Sequence, residues 1–220
     1  MHYVAHLSKD RKLKKLLTLQ PPFQLKKRRD ILIYLCASIM SQQLSVKVGD
    51  IIYNRFLGLY GGKKPTARQI SQTPFEVLRS IGLSAAKTSY VLNVAKFAAE
   101  QGMQTSKLSC MDNEEVIAYI TQIKGVGRWT AEMLLMFALQ REDVFSADDL
   151  GIQTAMKRLY KLDVADKKDF RQQIVRISEK WAPYRTYACM YLWAWKDGDK
   201  ERKPQRRKSG KDQNPNPRNQ

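Results

Sequence analysis

Residues 123–153 constrain this chain more than any other stretch. They open with Ile-Lys-Gly-Val-Gly-Arg-Trp-Thr-Ala-Glu, continue through an apolar segment, and close on Asp-Val-Phe-Ser-Ala-Asp-Asp-Leu-Gly-Ile-Gln. A Gly-Val-Gly turn between two helical segments predicts a tight helix–hairpin–helix connection. Glycine at 125 and 127 lets the backbone turn sharply and come close to a ligand. The amides of Gly125, Gly127 and their neighbours then face outward at the start of the helix beginning at Arg128, where the helix dipole favours an anion. Lys124 and Arg128 flank the turn and add positive charge. A plain helix–helix connector has the same glycine spacing, so the turn alone does not separate the two readings.

The acidic pair Asp148-Asp149 follows the apolar segment and opens the next helix. An aspartate at a helix start is ordinarily an N-cap. Two in a row leave one for capping and one for another task. His2 and His6 are the two histidines and both lie near the N-terminus, so acid–base chemistry falls to carboxylates. Cys36, Cys110 and Cys189 are odd in number and widely spaced, without Cys-x-x-Cys or a Cys/His cluster. They read as reduced thiols rather than zinc or iron–sulfur ligands.

Charge supplies the partner. Lys and Arg number 39 against 21 Asp and Glu, a net +18. Such an excess favours polyanions through phosphate neutralisation and counterion release. The apolar share of 43% is that of a globular chain. No signal peptide and no apolar run of transmembrane length is present. A cytoplasmic protein with no membrane contact is expected, associated with the nucleoid if the source is prokaryotic.

The periodicity predicts an all-α chain. Helices are expected over 7–17, 30–40, 46–60, a short one from Pro65, one from Thr73 to near Gly82, and one to about Gln101. Asp112 or Asn113 caps another through Thr121. Further helices follow over 128–139, from the acidic pair to near Leu162, over 167–181 and over 184–195. Residues 1–195 form the core. From Lys196 to Gln220 the chain carries nine Lys/Arg, four Asp/Glu and three prolines, and a mobile basic tail is expected there.

Taken together, the Ile-Lys-Gly-Val-Gly-Arg-Trp-Thr-Ala run and the later Asp-Val-Phe-x-x-Asp-Asp resemble the helix-hairpin-helix DNA glycosylase superfamily, in particular its DNA-3-methyladenine glycosylase II branch. Three other segments agree. Ile39-Met40-Ser41-Gln42-Gln43-Leu44-Ser45 resembles that branch's minor-groove loop, and Ile81-Gly82-Leu83-Ser84 with Lys87 its second DNA-facing turn. Trp181-Ala182-Pro183-Tyr184-Arg185-Thr186-Tyr187-Ala188 through Trp193 resembles its C-terminal helix. The likeness runs from about residue 5 to 196. It implies a two-lobed all-α fold with a cleft between the lobes.

The resemblance also implies roles. Asp149 falls at the family's catalytic aspartate, and Asp148 then reads as capping or structural. Leu44 falls at the plug that wedges into the duplex, with Gln43 beside it. Trp129 and Trp193 fall at aromatic positions lining the pocket for the flipped base. Lys87, Lys124, Gly125, Gly127 and Arg128 fall among the DNA contacts. The carbonyls of Thr121, Ile123 and Gly125 fall where the hairpin holds a monovalent cation, sodium or potassium; catalysis itself needs no cofactor.

Position 129 also decides a subclass. Bifunctional members carry there a lysine that forms a Schiff base and cuts the strand. Tryptophan implies hydrolysis without lyase activity, and the absence of a four-cysteine C-terminal cluster argues against the endonuclease III-like branch. Two departures narrow the likeness. The larger bacterial members have an additional N-terminal α/β domain. Met133 also stands where some relatives have an aromatic, a gap that Tyr34, Tyr187 or Tyr191 could fill. The expected activity is excision of 3-methyladenine- or 7-methylguanine-type bases from duplex DNA by a monomer. A glycosylase for another lesion and a non-catalytic DNA-binding module are the rival readings.

Overall fold

The computed structural model describes residues 2–26, 30–163 and 166–202. All regular structure among them is helical: α1 (His2–Leu7), α2 (Arg11–Leu17), α3 (Ile31–Ser41), α4 (Val46–Gly58), α5 (Ala67–Gln72), α6 (Phe75–Ser80), α7 (Ala85–Gln101), α8 (Thr105–Ser109), α9 (Asn113–Ile120), α10 (Arg128–Phe137), α11 (Leu150–Tyr160), α12 (Lys167–Glu179) and α13 (Arg185–Arg202). The all-α expectation holds. No described helix is long and apolar enough to cross a membrane.

Two packing groups make up the fold. In the first, α3 packs on α4, α7 and α10, while α5 and α6 lie on α7 and α9 on α10. In the second, α13 packs on α11 and α2, with α1 against α2. The apolar run of α3 explains its central place: Leu35, Cys36, Ile39 and Met40 are fully buried. Burial of such side chains contributes roughly 1.5–3 kcal/mol each. Burial also pushes the Cys36 and Cys189 thiols up to about 12, which leaves them unreactive.

Several boundaries differ from the sequence reading for identifiable reasons. The helix expected over 7–17 starts only at Arg11, because the Asp10 side chain accepts the amides of Lys12 and Leu13 and begins α2 there; a separate helix, α1, precedes it and ends at Leu7. Asp112, not Asn113, caps α9, in a capping box with Glu115. A short α8 was not foreseen. The last helix passes Trp195 and runs to Arg202, so the first part of the expected tail is helical. Residues 203–220 lie outside the described residues.

Candidate active site

The hairpin joins α9 to α10. Thr121 closes α9, Ile123 and Val126 are buried beneath the turn, and the Val126 amide donates to the Ile123 carbonyl at 2.9 Å. Gly125 has φ 102°, and a Cβ there would lie 2.2 Å from Cγ of Tyr90. Only glycine fits. Gly127 differs: its φ of −93° suits any residue, and a Cβ there would meet open space. Gly127 is the N-cap of α10 and no side chain caps that helix start. The positive end of the α10 dipole is therefore left to an incoming anion.

At the start of α11 the two aspartates of the acidic pair have separate partners, and of the two roles open to Asp148, capping or structural, it takes the structural one. Asp149, not Asp148, is the N-cap, accepting the Ile152 amide on Oδ1 at 2.7 Å. Asp148 instead pairs with Arg171 at 2.7 Å, whose guanidinium holds its carboxyl below the usual range. Asp149 carries more than the cap. The Trp193 indole N–H donates to Oδ1 at 2.8 Å and the Trp129 indole N–H to Oδ2 at 2.7 Å. All three donors are neutral. The carboxylate is buried to 9% exposure, while Trp129 beside it is 42% exposed and Leu150 76%. The sequence placed both tryptophans near the site but gave no sign that their N–H groups converge on one carboxylate.

Close approach here depends on Gly151. A Cβ at that position would lie 3.0 Å from Asp149 Oδ1, 3.0 Å from Trp193 Cδ1 and 3.1 Å from Lys196 Cε. Glycine inside a helix costs about 0.5–1 kcal/mol against alanine. The cost coincides with the tightest contact around the carboxylate.

The loop after α3 presents Leu44, 38% exposed, behind Gln43 in the left-handed conformation at φ 60°. Non-glycine residues seldom adopt it, and it marks a constrained turn. Two cations expected at DNA also have partners within the protein. The Lys87 ammonium donates to the carbonyls of Met40 at 3.0 Å and Gln42 at 2.6 Å. Arg128 is bidentate to Glu114, with N–O distances of 2.9 and 2.5 Å, and also reaches Glu132 at 3.1 Å. Lys124 remains exposed on the turn.

Glu132 escaped the sequence reading. It is buried, accepts the Ser146 hydroxyl at 2.5 Å, and is pushed upward by burial. Through Arg128 and Ser146 it ties the hairpin helix to the loop bearing Asp149. An acidic residue inside an apolar helix was the available signal. Among the tyrosines, Tyr34 reaches α10, its hydroxyl donating to the Met133 carbonyl at 3.0 Å. It also lines a groove of about 880 Å³ between α3 and α4. Tyr187 stacks on Tyr3, and Tyr191 is buried with its ring edge-on to Phe23. Both belong to the core.

Comparison with known proteins places the chain in a family. Residues 36–181 match the family described as HhH-GPD superfamily base excision DNA repair protein. DNA-3-methyladenine glycosylase 1 of Schizosaccharomyces pombe is 40% identical over 162 residues, 72% of this chain and 69% of that protein. The putative DNA-3-methyladenine glycosylase YfjP of Bacillus subtilis is 31% identical over 74% of this chain, which spans 59% of its length. The structure of the Schizosaccharomyces pombe 3-methyladenine DNA glycosylase Mag1 in complex with abasic DNA superposes with a TM-score of 0.75 at 34% identity, covering 88% of this chain and 95% of that one. The chain belongs to the HhH-GPD superfamily of base excision DNA repair proteins.

Proposed function

We propose that this protein is a monofunctional DNA glycosylase that hydrolyses the N-glycosidic bond of alkylated purines in duplex DNA. One observation carries the reading: a buried carboxylate held by two indole N–H groups and a helix start, beside a half-exposed tryptophan. Alkylation at N3 or N7 makes a purine cationic. A cationic ring stacks favourably on an indole face, with an attraction of roughly 0.5–2 kcal/mol. Such a base is also a good leaving group and needs little help from a general acid.

The remaining demand is positive charge developing on the sugar. The Asp149 carboxylate stabilises that oxocarbenium-like state and orients or deprotonates the attacking water. Its neutral donors fix its direction without cancelling its charge. Leu44 fills the gap left by the extruded base, and the constrained Gln43 turn sets its height. The uncapped α10 start and Lys124 take a backbone phosphate. The carbonyls of Thr121, Ile123 and Gly125 are neutral oxygen donors within one turn, a set that suits a monovalent cation. When bound there, such a cation supplies additional positive charge toward that phosphate. Trp129 in place of a Schiff-base lysine leaves hydrolysis as the only route, and a monomer suffices for single lesions.

The test is release of free base from methylated duplex DNA, followed by chromatography, with strand cleavage scored in parallel. Release of 3-methyladenine or 7-methylguanine without strand scission is expected. Release only from oxidised or mismatched DNA would reassign the lesion. Tight DNA binding with no release from any substrate would reduce the protein to a binding module.

A further inference from the structure

The minor-groove loop and the hairpin come from distant parts of the chain, yet both are held by one face of α7. Lys87, Tyr90 and Asn93 recur every third residue, which places them in one stripe along that helix. At one end of the stripe, Lys87 clamps the carbonyls of Met40 and Gln42 at the end of α3, immediately before Gln43 and Leu44. A cation is favoured at that negative helix end. In the middle, the Tyr90 ring lies directly against Gly125, where no Cβ fits. At the other end, the Asn93 amide donates to the Lys124 carbonyl at 3.0 Å. Lys87 and Asn93 are about 9 Å apart along the helix axis, at 1.5 Å per residue.

We infer that the Lys87–Tyr90–Asn93 stripe is a spacer that fixes the distance between the Leu44 plug and the phosphate-binding hairpin. A wedge and a phosphate grip extrude a base only if they act on the same nucleotide step. Neither loop sets that separation by itself: one turns on a left-handed glutamine and the other on a glycine. The three residues are positioning residues and touch no substrate. The inference rests on the glycosylase reading and goes beyond it by naming what keeps the two DNA-facing loops in register. Partial burial against the end of α3 lowers the Lys87 ammonium from its ordinary value.

The experiment compares single-turnover excision of one methylated base in two settings, a fully paired duplex and a bulge where the base is already unstacked. The variants are Lys87→Met, Lys87→Arg and Asn93→Ala, each first checked for a wild-type melting transition. Lys87→Met is expected to slow excision from the paired duplex about tenfold and from the bulge much less. Lys87→Arg, which keeps donors for the carbonyls, should recover part of the loss. Asn93→Ala should act in the same direction, and the double variant should lose less than the product of the two. Equal loss in both settings, no loss in either, or a fall of about one in the salt slope of DNA binding for Lys87→Met, the mark of a lost phosphate contact, would overturn the spacer. If the wild type releases no base from either substrate, the glycosylase reading falls and takes the spacer with it.

Discussion

Asp10 and Asp149 occupy nearly the same local setting. Each is an N-cap, each is buried to within 9% exposure, and each accepts an indole N–H. They differ in what else reaches them. Asp10 takes the Trp181 indole, the Tyr160 hydroxyl and the Lys180 ammonium at 2.8 Å. Burial pushes its carboxyl up, but these partners overcome that and hold it at about 2. Its charge is neutralised in place and it knits α2 to α11 and to the turn before α13. Asp149 receives only neutral donors and stands behind an exposed tryptophan. The difference is spare charge: the carboxylate paired with an ammonium knits helices together, and the one that receives only neutral donors is the one to which the proposed function gives the chemistry.

The comparison can be broken at either aspartate. Asp149→Asn has the largest expected effect. Asparagine keeps the cap but removes the charge, so excision should fall on the order of a thousandfold, about 4 kcal/mol, while DNA affinity changes by about twofold at most. Asp10→Ala comes next. It strands the Trp181 N–H and the Tyr160 hydroxyl and removes the Lys180 ion pair, and chemical denaturation should show a loss of about 3 kcal/mol. A loss below about 1 kcal/mol would deny Asp10 its structural role.

Acid should act on Asp10 in the same direction. Its folded value, about 2, lies below the ordinary value of 3.8, so the stabilisation is present above 3.8 and disappears as pH falls through 2. It amounts to about 2 kcal/mol. Denaturation midpoints between pH 5 and 2 check this, and Asp10→Asn should flatten that part of the profile. Trp129→Phe should have a smaller effect. It keeps a ring at the site but deletes one donor to Asp149, and a roughly tenfold slower excision is expected. Gly151→Ala is smaller still in stability, a gain of at most about 1 kcal/mol from helix propensity. Its added Cβ crowds Asp149 and Trp193, so excision should nonetheless fall severalfold. Stability and rate falling together would trace the effect to general disruption.

What was legible in the sequence was local. The apolar α3, the Gly-Val-Gly hairpin and the helix start at the acidic pair are each written in a few neighbouring residues, and the structure has them where expected. What was not legible were the partners distant in the chain. Lys87 looked free because Met40 and Gln42 are more than forty residues away. Arg128 looked free because Glu114 belongs to another helix. The role of Asp10 was not legible because Tyr160 and Trp181 come from the far end of the chain. The acidic pair marked the site, but which aspartate caps and which pairs with Arg171 depends on where α12 lies.

The most direct test of the account is a crossed measurement on Asp149→Asn and Asp10→Asn: single-turnover excision of a methylated purine from duplex DNA, alongside unfolding free energy at neutral pH. The first variant should lose its rate and keep most of its stability, while the second should lose stability and, where folded, keep its rate. If both variants lose rate and stability in the same proportion, the two aspartates do one job, and the assignment of chemistry to Asp149 is wrong.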